Sequence, residues 1–147
     1  YAIMDNFNYE RYMMGAQMLG MSQRCFDECV SYAKERKTFG KSLIEHQVIR
    51  HKLADMSAKI DAMDAYLNQV AQLMNDGEKP VAEISKIKFY CSECLESIAS
   101  EAMQILGGAG YLRGNPVERI YREVKVMSIG GGSKEIMRDL TIKQMGL

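Results

Sequence analysis

Ile49-Arg50-His51-Lys52-Leu53-Ala54-Asp55-Met56-Ser57-Ala58-Lys59-Ile60-Asp61-Ala62-Met63 decides the architecture. Its apolar seam, Ile49, Leu53, Met56, Ile60 and Met63, advances in steps of four and three and continues through Leu67, Val70 and Met74. That spacing keeps one narrow stripe of a helix against a partner at a shallow crossing angle. Upstream, Ser42 followed by Glu45 reads as a capping box that starts this helix. Downstream, Asn75-Asp76-Gly77 ends it, and Pro80 sits near the first turn of the next.

The same reading extends to both ends of the chain. A first helix is expected from about residue 8 to 37, capped by Asn6 or Asn8, with Met13, Ala16, Leu19, Gly20, Phe26, Val30 and Ala33 on one broad face. A third helix carries Ile84, Ile87, Cys91, Cys94, Ile98, Ala102 and Ile105 and closes at Gly107-Gly108. Asn115-Pro116 opens a fourth helix to about Met127, and Ser133 caps a last one to about Met145 after the glycines 130–132. Three helices of some thirty residues are each roughly 40 Å long. Short turns between them favour antiparallel neighbours, so the fold class is all-α, an up-down bundle of long antiparallel helices.

Composition narrows the function. With 147 residues the chain forms one domain, residues 1–147, and 47% hydrophobic with 26% charged residues is ordinary for a globular protein. Nineteen basic and nineteen acidic residues leave no net field to draw in nucleic acid or an anionic membrane. No apolar run approaches a bilayer span, and the first residues lack the pattern of a signal peptide. The opening at Tyr1 leads us to expect the C-terminal piece of something larger. Twelve methionines suit irregular gaps between helices or a flexible apolar ligand.

Ligand chemistry belongs where the helices break, because free N–H groups and fixed cations meet there. The breaks are Glu35-Arg36-Lys37-Thr38-Phe39-Gly40, Gln104-Ile105-Leu106-Gly107-Gly108-Ala109-Gly110, and Gly130-Gly131-Gly132-Ser133-Lys134-Glu135. Locally each reads first as a turn. The second follows a helix and so is no dinucleotide fingerprint, and the third lacks the spacing of a P-loop. Arg36 either complements the end of the first helix or, beside Thr38, grips a pyrophosphate. Glu10 is by default a solvated carboxylate, yet Tyr9, Tyr12, Met13 and Met14 around it also suit a catalytic base. Cys25 with Cys29 and Cys91 with Cys94 share helix faces; small core thiols are the better reading than a tetrathiolate zinc site. His46 and His51, five apart, make a poor metal pair; His46 beside Gln47 is a surface residue or a phosphate contact.

Taken together, Glu35-Arg36-Lys37-Thr38-Phe39-Gly40-Lys41, His46-Gln47, residues 104–111, Asn115-Pro116-Val117-Glu118-Arg119 and residues 129–136 resemble the C-terminal helical domain of the acyl-CoA dehydrogenase family. The resemblance implies FAD as cofactor, with N-terminal helical and central β domains outside this chain. It assigns Arg36, Lys37 and Thr38 to the FAD phosphates, often those of a neighbouring subunit. Gln47, Gln104, Ile105, Leu106, Gly107 and Gly108 fall at further FAD contacts, and Ser133, Lys134 and Glu135 at the segment near the cofactor.

One departure matters. Many family members carry their catalytic glutamate where this chain has Gly131. The isovaleryl and long-chain branches place it near the start of the first helix, before an arginine, which Glu10-Arg11 resembles. The implied base is Glu10, with Tyr9, Arg11, Gly130, Gly131 and Gly132 on the substrate side. The implied reaction is α,β-dehydrogenation of an acyl-CoA: the base takes the α-proton and the β-hydrogen leaves as hydride to the flavin. If both positions reach one carbon, moving the carboxylate from Glu10 to position 131 should recover part of the rate. Resemblance further implies a homo-oligomer, dimer or tetramer, with an electron-transfer flavoprotein as acceptor, in the cytoplasm of a bacterium or the mitochondrial matrix of a eukaryote. The chain alone is expected to be inactive. Acyl-CoA oxidases and flavin monooxygenases share the bundle, and a non-catalytic oligomerisation bundle is the third alternative.

Overall fold

The computed structural model describes residues 2–147, and side chains from Asn6 onward. Helix α1 spans Ala2–Glu35, α2 Gln47–Asn75, α3 Val81–Leu106, α4 Gly108–Tyr111, α5 Pro116–Ile129 and α6 Lys134–Gln144. Between α1 and α2 the chain makes a small antiparallel hairpin, β1 (Lys37–Thr38) and β2 (Lys41–Ser42), followed by a 3-10 turn, Leu43–Glu45. This is the all-α bundle that the periodicity predicts.

Helix α3 lies at the centre and packs against α1, α2, α5 and α6. Its sequence shows why. Beyond the expected seam, Ala82, Ser85, Leu95 and Ala99 are buried too, so its apolar surface runs around most of the helix. On α2 the expected stripe is the buried one: Leu53, Met56, Ile60, Met63, Leu67 and Val70 face inward, with Ile49 and Met74 half-buried at its ends.

The face of α1 needs correcting. Its buried line is Gly15, Met18, Ser22, Cys25, Cys29 and Ala33, while Gly20 and Met13 point outward and Ala16, Leu19, Phe26 and Val30 flank the contact. Apart from Met18, small residues occupy this line because the helices approach closely. A Cβ on Gly15 would lie 3.3 Å from Leu67 Cδ2 and 3.5 Å from Ile87 Cγ2. The four cysteines are free and buried in this seam. Burial pushes the thiols of Cys25, Cys29 and Cys91 up to about 12, so they stay protonated.

Two helix starts also differ from expectation. Asn6 and Asn8 cap nothing: α1 begins at Ala2 and both lie inside it. Asn6 Nδ2 donates to Glu10 Oε1 at 2.9 Å, and Arg11 Nη1 to Asn8 Oδ1 at 3.1 Å, satisfying the amides along the helix surface. The Ser42–Glu45 box forms, the Ser42 N–H donating to Glu45 Oε2 at 2.7 Å, but it opens the 3-10 turn; extended His46 then precedes α2. Asn115 and Ser133 cap as expected, accepting from the N–H groups of Val117 and Ile136.

A charged cluster ties the outer helices to α3. Glu96 accepts from Lys125 Nζ of α5 at 2.6 Å, Ser128 Oγ at 3.0 Å and Lys134 Nζ of α6 at 2.9 Å. Burial alone would raise its carboxyl, but these hydrogen bonds outweigh that and hold it at about 2. A carboxylate depressed from about 4.5 to about 2 contributes stability that is full above pH 4.5 and is lost as pH falls toward 2. Because the Lys125 side chain is 69% exposed, screening limits the contribution to about 1–2 kcal/mol. Glu96→Gln should therefore lower the urea-unfolding free energy by about that much at pH 7 and by much less at pH 2.5. An equal loss at both values would show that the ion cluster does not set the acid limit.

Candidate functional site

The expected site residues gather at opposite ends of the bundle. The first end is built around the break between α5 and α6. Gly131 and Gly132 adopt φ +71 and +118, a region that side chains rarely enter. A side chain would also have to push methionine ends aside: a Cβ on Gly131 would lie 2.9 Å from Met14 Sδ, and one on Gly132 2.6 Å from Met137 Cε. Two cations hold the turn from beneath. Arg11 Nε donates to the Gly131 carbonyl at 2.8 Å, and Lys88 Nζ to the carbonyls of Gly132 at 2.5 Å and Ser128 at 3.3 Å.

Burial lowers the pKa of Arg11. Burial, with the Arg11 charge adding to it, also lowers Lys88 to about 8. Glu10 and Tyr9 stand exposed on the same turn of α1 as Arg11, and Tyr12 and Met14 pack inward. Ser133 caps α6, Glu135 is exposed, and Lys134 is occupied by Glu96.

At the second end, Phe39 (φ +52) and Gly40 (φ +81) form the tip of the hairpin, a two-residue turn with both φ values positive. Phe39 is 98% exposed and meets the His46 ring edge-on at 6.4 Å. The Thr38 hydroxyl lies 3.2 Å from His46 Nε2. Arg36 and Lys37 are exposed cations whose side chains have no partner among the described residues. Gln47 is exposed at the start of α2. The ion pair of Lys52 with Glu101 and the Lys59 Nζ to Ser97 Oγ bond at 2.7 Å lock the first half of α2 to the last half of α3. That brings Gln104 and the exposed Gly107 and Gly108 to this same end, with Ile105 and Leu106 buried, so these two would present only their main chain.

Glu10 and Arg36 are thus separated by roughly 39 Å of α1. Of the residues expected near FAD, Ser133, Lys134 and Glu135 lie with Glu10, and the others lie at the far end. Sequence reading missed Lys88, although a signal was there. It stands at the four-and-three spacing between Ile84 and Cys91, where an apolar residue is expected. The methionine pads under the glycines, Met14 and Met137, were equally silent.

Residues 1–146 match the family model described as acyl-CoA dehydrogenase, C-terminal domain. The chain is 36% identical over 135 residues to cyclohexane-1-carbonyl-CoA dehydrogenase of Geobacter metallireducens, covering 92% of this chain and 36% of that protein. Identity and coverage are the same for a subunit of the caffeyl-CoA reductase-Etf complex of Acetobacterium woodii. The solved acyl-CoA dehydrogenase of Geobacillus kaustophilus superposes with a TM-score of 0.96 at 29% identity, over 100% of this chain and 39% of that one. The chain spans little more than a third of the length of these relatives.

The glycine geometry sets a cost on moving the carboxylate to position 131, where a glutamate would need a positive φ and would displace the end of the Met14 side chain. Gly131→Ala should destabilise the chain by about 1–3 kcal/mol. Gly20→Ala, in an exposed helical position with nothing near its Cβ, should stabilise it by about 0.5–1 kcal/mol. Urea unfolding of both variants is the check, and a Gly131→Ala chain as stable as its parent would remove the steric argument.

Proposed function

The chain belongs to the acyl-CoA dehydrogenase family, and we propose that within a longer flavoenzyme it supplies the base and part of the FAD site for α,β-dehydrogenation of an acyl-CoA. One observation carries the assignment of the base. The Arg11 side chain bonds the Gly131 carbonyl, which brings the helical turn that carries Glu10 to the glycine that the family resemblance marks as the other place for a base.

A thioester α-proton is weakly acidic, so Glu10 needs the carbonyl oxygen of the substrate to be held by hydrogen bonds as charge develops on it. The turn offers the main-chain N–H groups of Gly131 and Ser133, which have no main-chain acceptor among the described residues, and residues 130–132, having no side chains, let the thioester approach closely. Tyr9 stands outward beside Glu10 and is proposed to flank the acyl chain.

The far end fits a dinucleotide: two cations without a partner among the described residues, a hydroxyl at Thr38 and an outward-facing aromatic ring at Phe39. Arg36, Lys37 and Thr38 would hold the FAD phosphates, with Gln47, Gln104 and the main chain of residues 105–108 beside them. Ser133, Lys134 and Glu135 would face the cofactor from the other end, Lys134 through its main chain. Bound FAD supplies the acceptor for the β-hydrogen. Because roughly 39 Å separates the two ends, they serve different flavins, which calls for a second copy of the chain. We propose a homo-oligomer, N-terminal helical and central β domains in the remaining two-thirds of the protein, and a bacterial cytoplasmic or mitochondrial matrix location. The reductase–Etf relative supports an electron-transfer flavoprotein as redox partner. It also favours a second reading, in which the same site runs in reverse: reduced flavin would supply the hydride to the β-carbon of an enoyl-CoA and Glu10 the proton to its α-carbon.

In the full-length protein, Glu10→Gln should leave acyl-CoA binding nearly intact and slow flavin bleaching by about 10²–10⁴-fold. Rapid mixing decides it, and bleaching at the parental rate would remove Glu10 as base. Arg36→Ala should lose FAD on dialysis far more readily than Lys37→Ala, since a guanidinium fork grips a pyrophosphate at two points and an ammonium at one. Equal loss of flavin absorbance would show that Arg36 is not the main grip.

A further inference from the structure

Lys88 is the largest of the fully buried side chains among the described residues. Its ammonium bonds two carbonyls, those of Ser128 and Gly132, and no carboxylate pairs with it among those residues. A methionine would fill the same volume without taking a charge out of water, and burial has pushed this ammonium down to about 8. A charge kept at such a place has work that an apolar side chain cannot perform.

That work is visible in the turn. Three glycines in a row carry no side chains to fix them and have the widest backbone freedom of any residues. The cations replace what side chains would do. Ser128, Gly131 and Gly132 all turn their carbonyls onto Lys88 or Arg11. In a planar trans peptide the following N–H points the opposite way from the carbonyl. The N–H of Gly132 reaches Ile129 O at 3.3 Å, and those of Gly131 and Ser133 have no main-chain acceptor among the described residues.

We propose that Lys88 is a positioning residue for the reacting thioester: by holding the Gly132 carbonyl against the core, it fixes the following Ser133 N–H pointing away from Lys88, at the turn that Arg11 ties to the helix carrying Glu10. The effect on rate rests on the dehydrogenase reading above; the effect on the turn does not.

The test uses the full-length holoenzyme with Lys88→Met and, as a partial donor, Lys88→Gln. Deuterium uptake by the peptide covering residues 128–133 should rise at least about threefold in Lys88→Met while the rest of the bundle exchanges as before. Bleaching by saturating acyl-CoA should slow about a hundredfold, with Lys88→Gln between the two, and with the affinity for acyl-CoA changed less than about threefold. Melting temperature should stay level or rise in Lys88→Met, separating positioning from simple structural loss. Unchanged uptake at 128–133 overturns the proposal, as does a bleaching rate within twofold of the parent. Unfolding of both variants overturns it too, since the ammonium would then be a requirement for folding. If no acyl-CoA bleaches the parent enzyme, the dehydrogenase reading fails, and uptake alone decides the role of Lys88.

Discussion

The burial of α3 along its whole length is the constraint on which the other elements depend. A helix apolar around most of its circumference has to be covered on several sides, and α1, α2, α5 and α6 do this. Close cover from α1 is possible only because Gly15, Ser22, Cys25, Cys29 and Ala33 are small. The covering helices fix everything else: α1 delivers Arg11, α5 and α6 deliver the glycine turn, and α3 itself delivers Lys88. The candidate site is where three covering helices meet the one they cover.

How far sequence reaches into this structure depends on which residues carry the contact. Helix α2 was legible because its seam is made of large aliphatic residues at regular steps, and these are the residues that water drives inward. The face of α1 was not, because close helix contact selects small side chains that hydrophobicity ranks low, while Met13 and Gly20 drew the eye to the wrong side. Asn6 and Asn8 misled for a related reason: asparagine favours caps, yet along a helix its amide also finds partners three and four residues away. The three breaks were legible as interruptions of the helices, and their grouping was not. Nothing in the sequence says that residues 130–135 meet residue 11 while residues 104–108 meet the hairpin. That pairing follows from the up-down order of rigid helices.

Rigid length also sets how this chain can act. Within one copy, the cations at the hairpin cannot approach the turn that holds Glu10, since a helix of this length does not shorten. The exposed, positive-φ Phe39 fits the same picture: it is a ring held outward by a tight turn, without a surface of its own copy to cover it. Under the proposed function, each flavin is then gripped by one copy and served by another, and loss of assembly removes cofactor and catalysis together.

The position of the proposed base and the conformation of the glycine turn are two sides of one choice. With φ +71 at Gly131, a carboxylate there would be strained and would have to displace the end of the Met14 side chain. Its carbonyls are spent on Arg11 and Lys88, both cations, which a carboxylate at 131 would draw toward itself. A base delivered from α1 avoids that competition. Glu10 and Arg11 are adjacent in sequence but leave the helix about 100° apart, so one can face outward while the other holds the turn. On this account glycine at 131 spares the turn that competition, while the arginine that follows the proposed base holds the turn by its carbonyl.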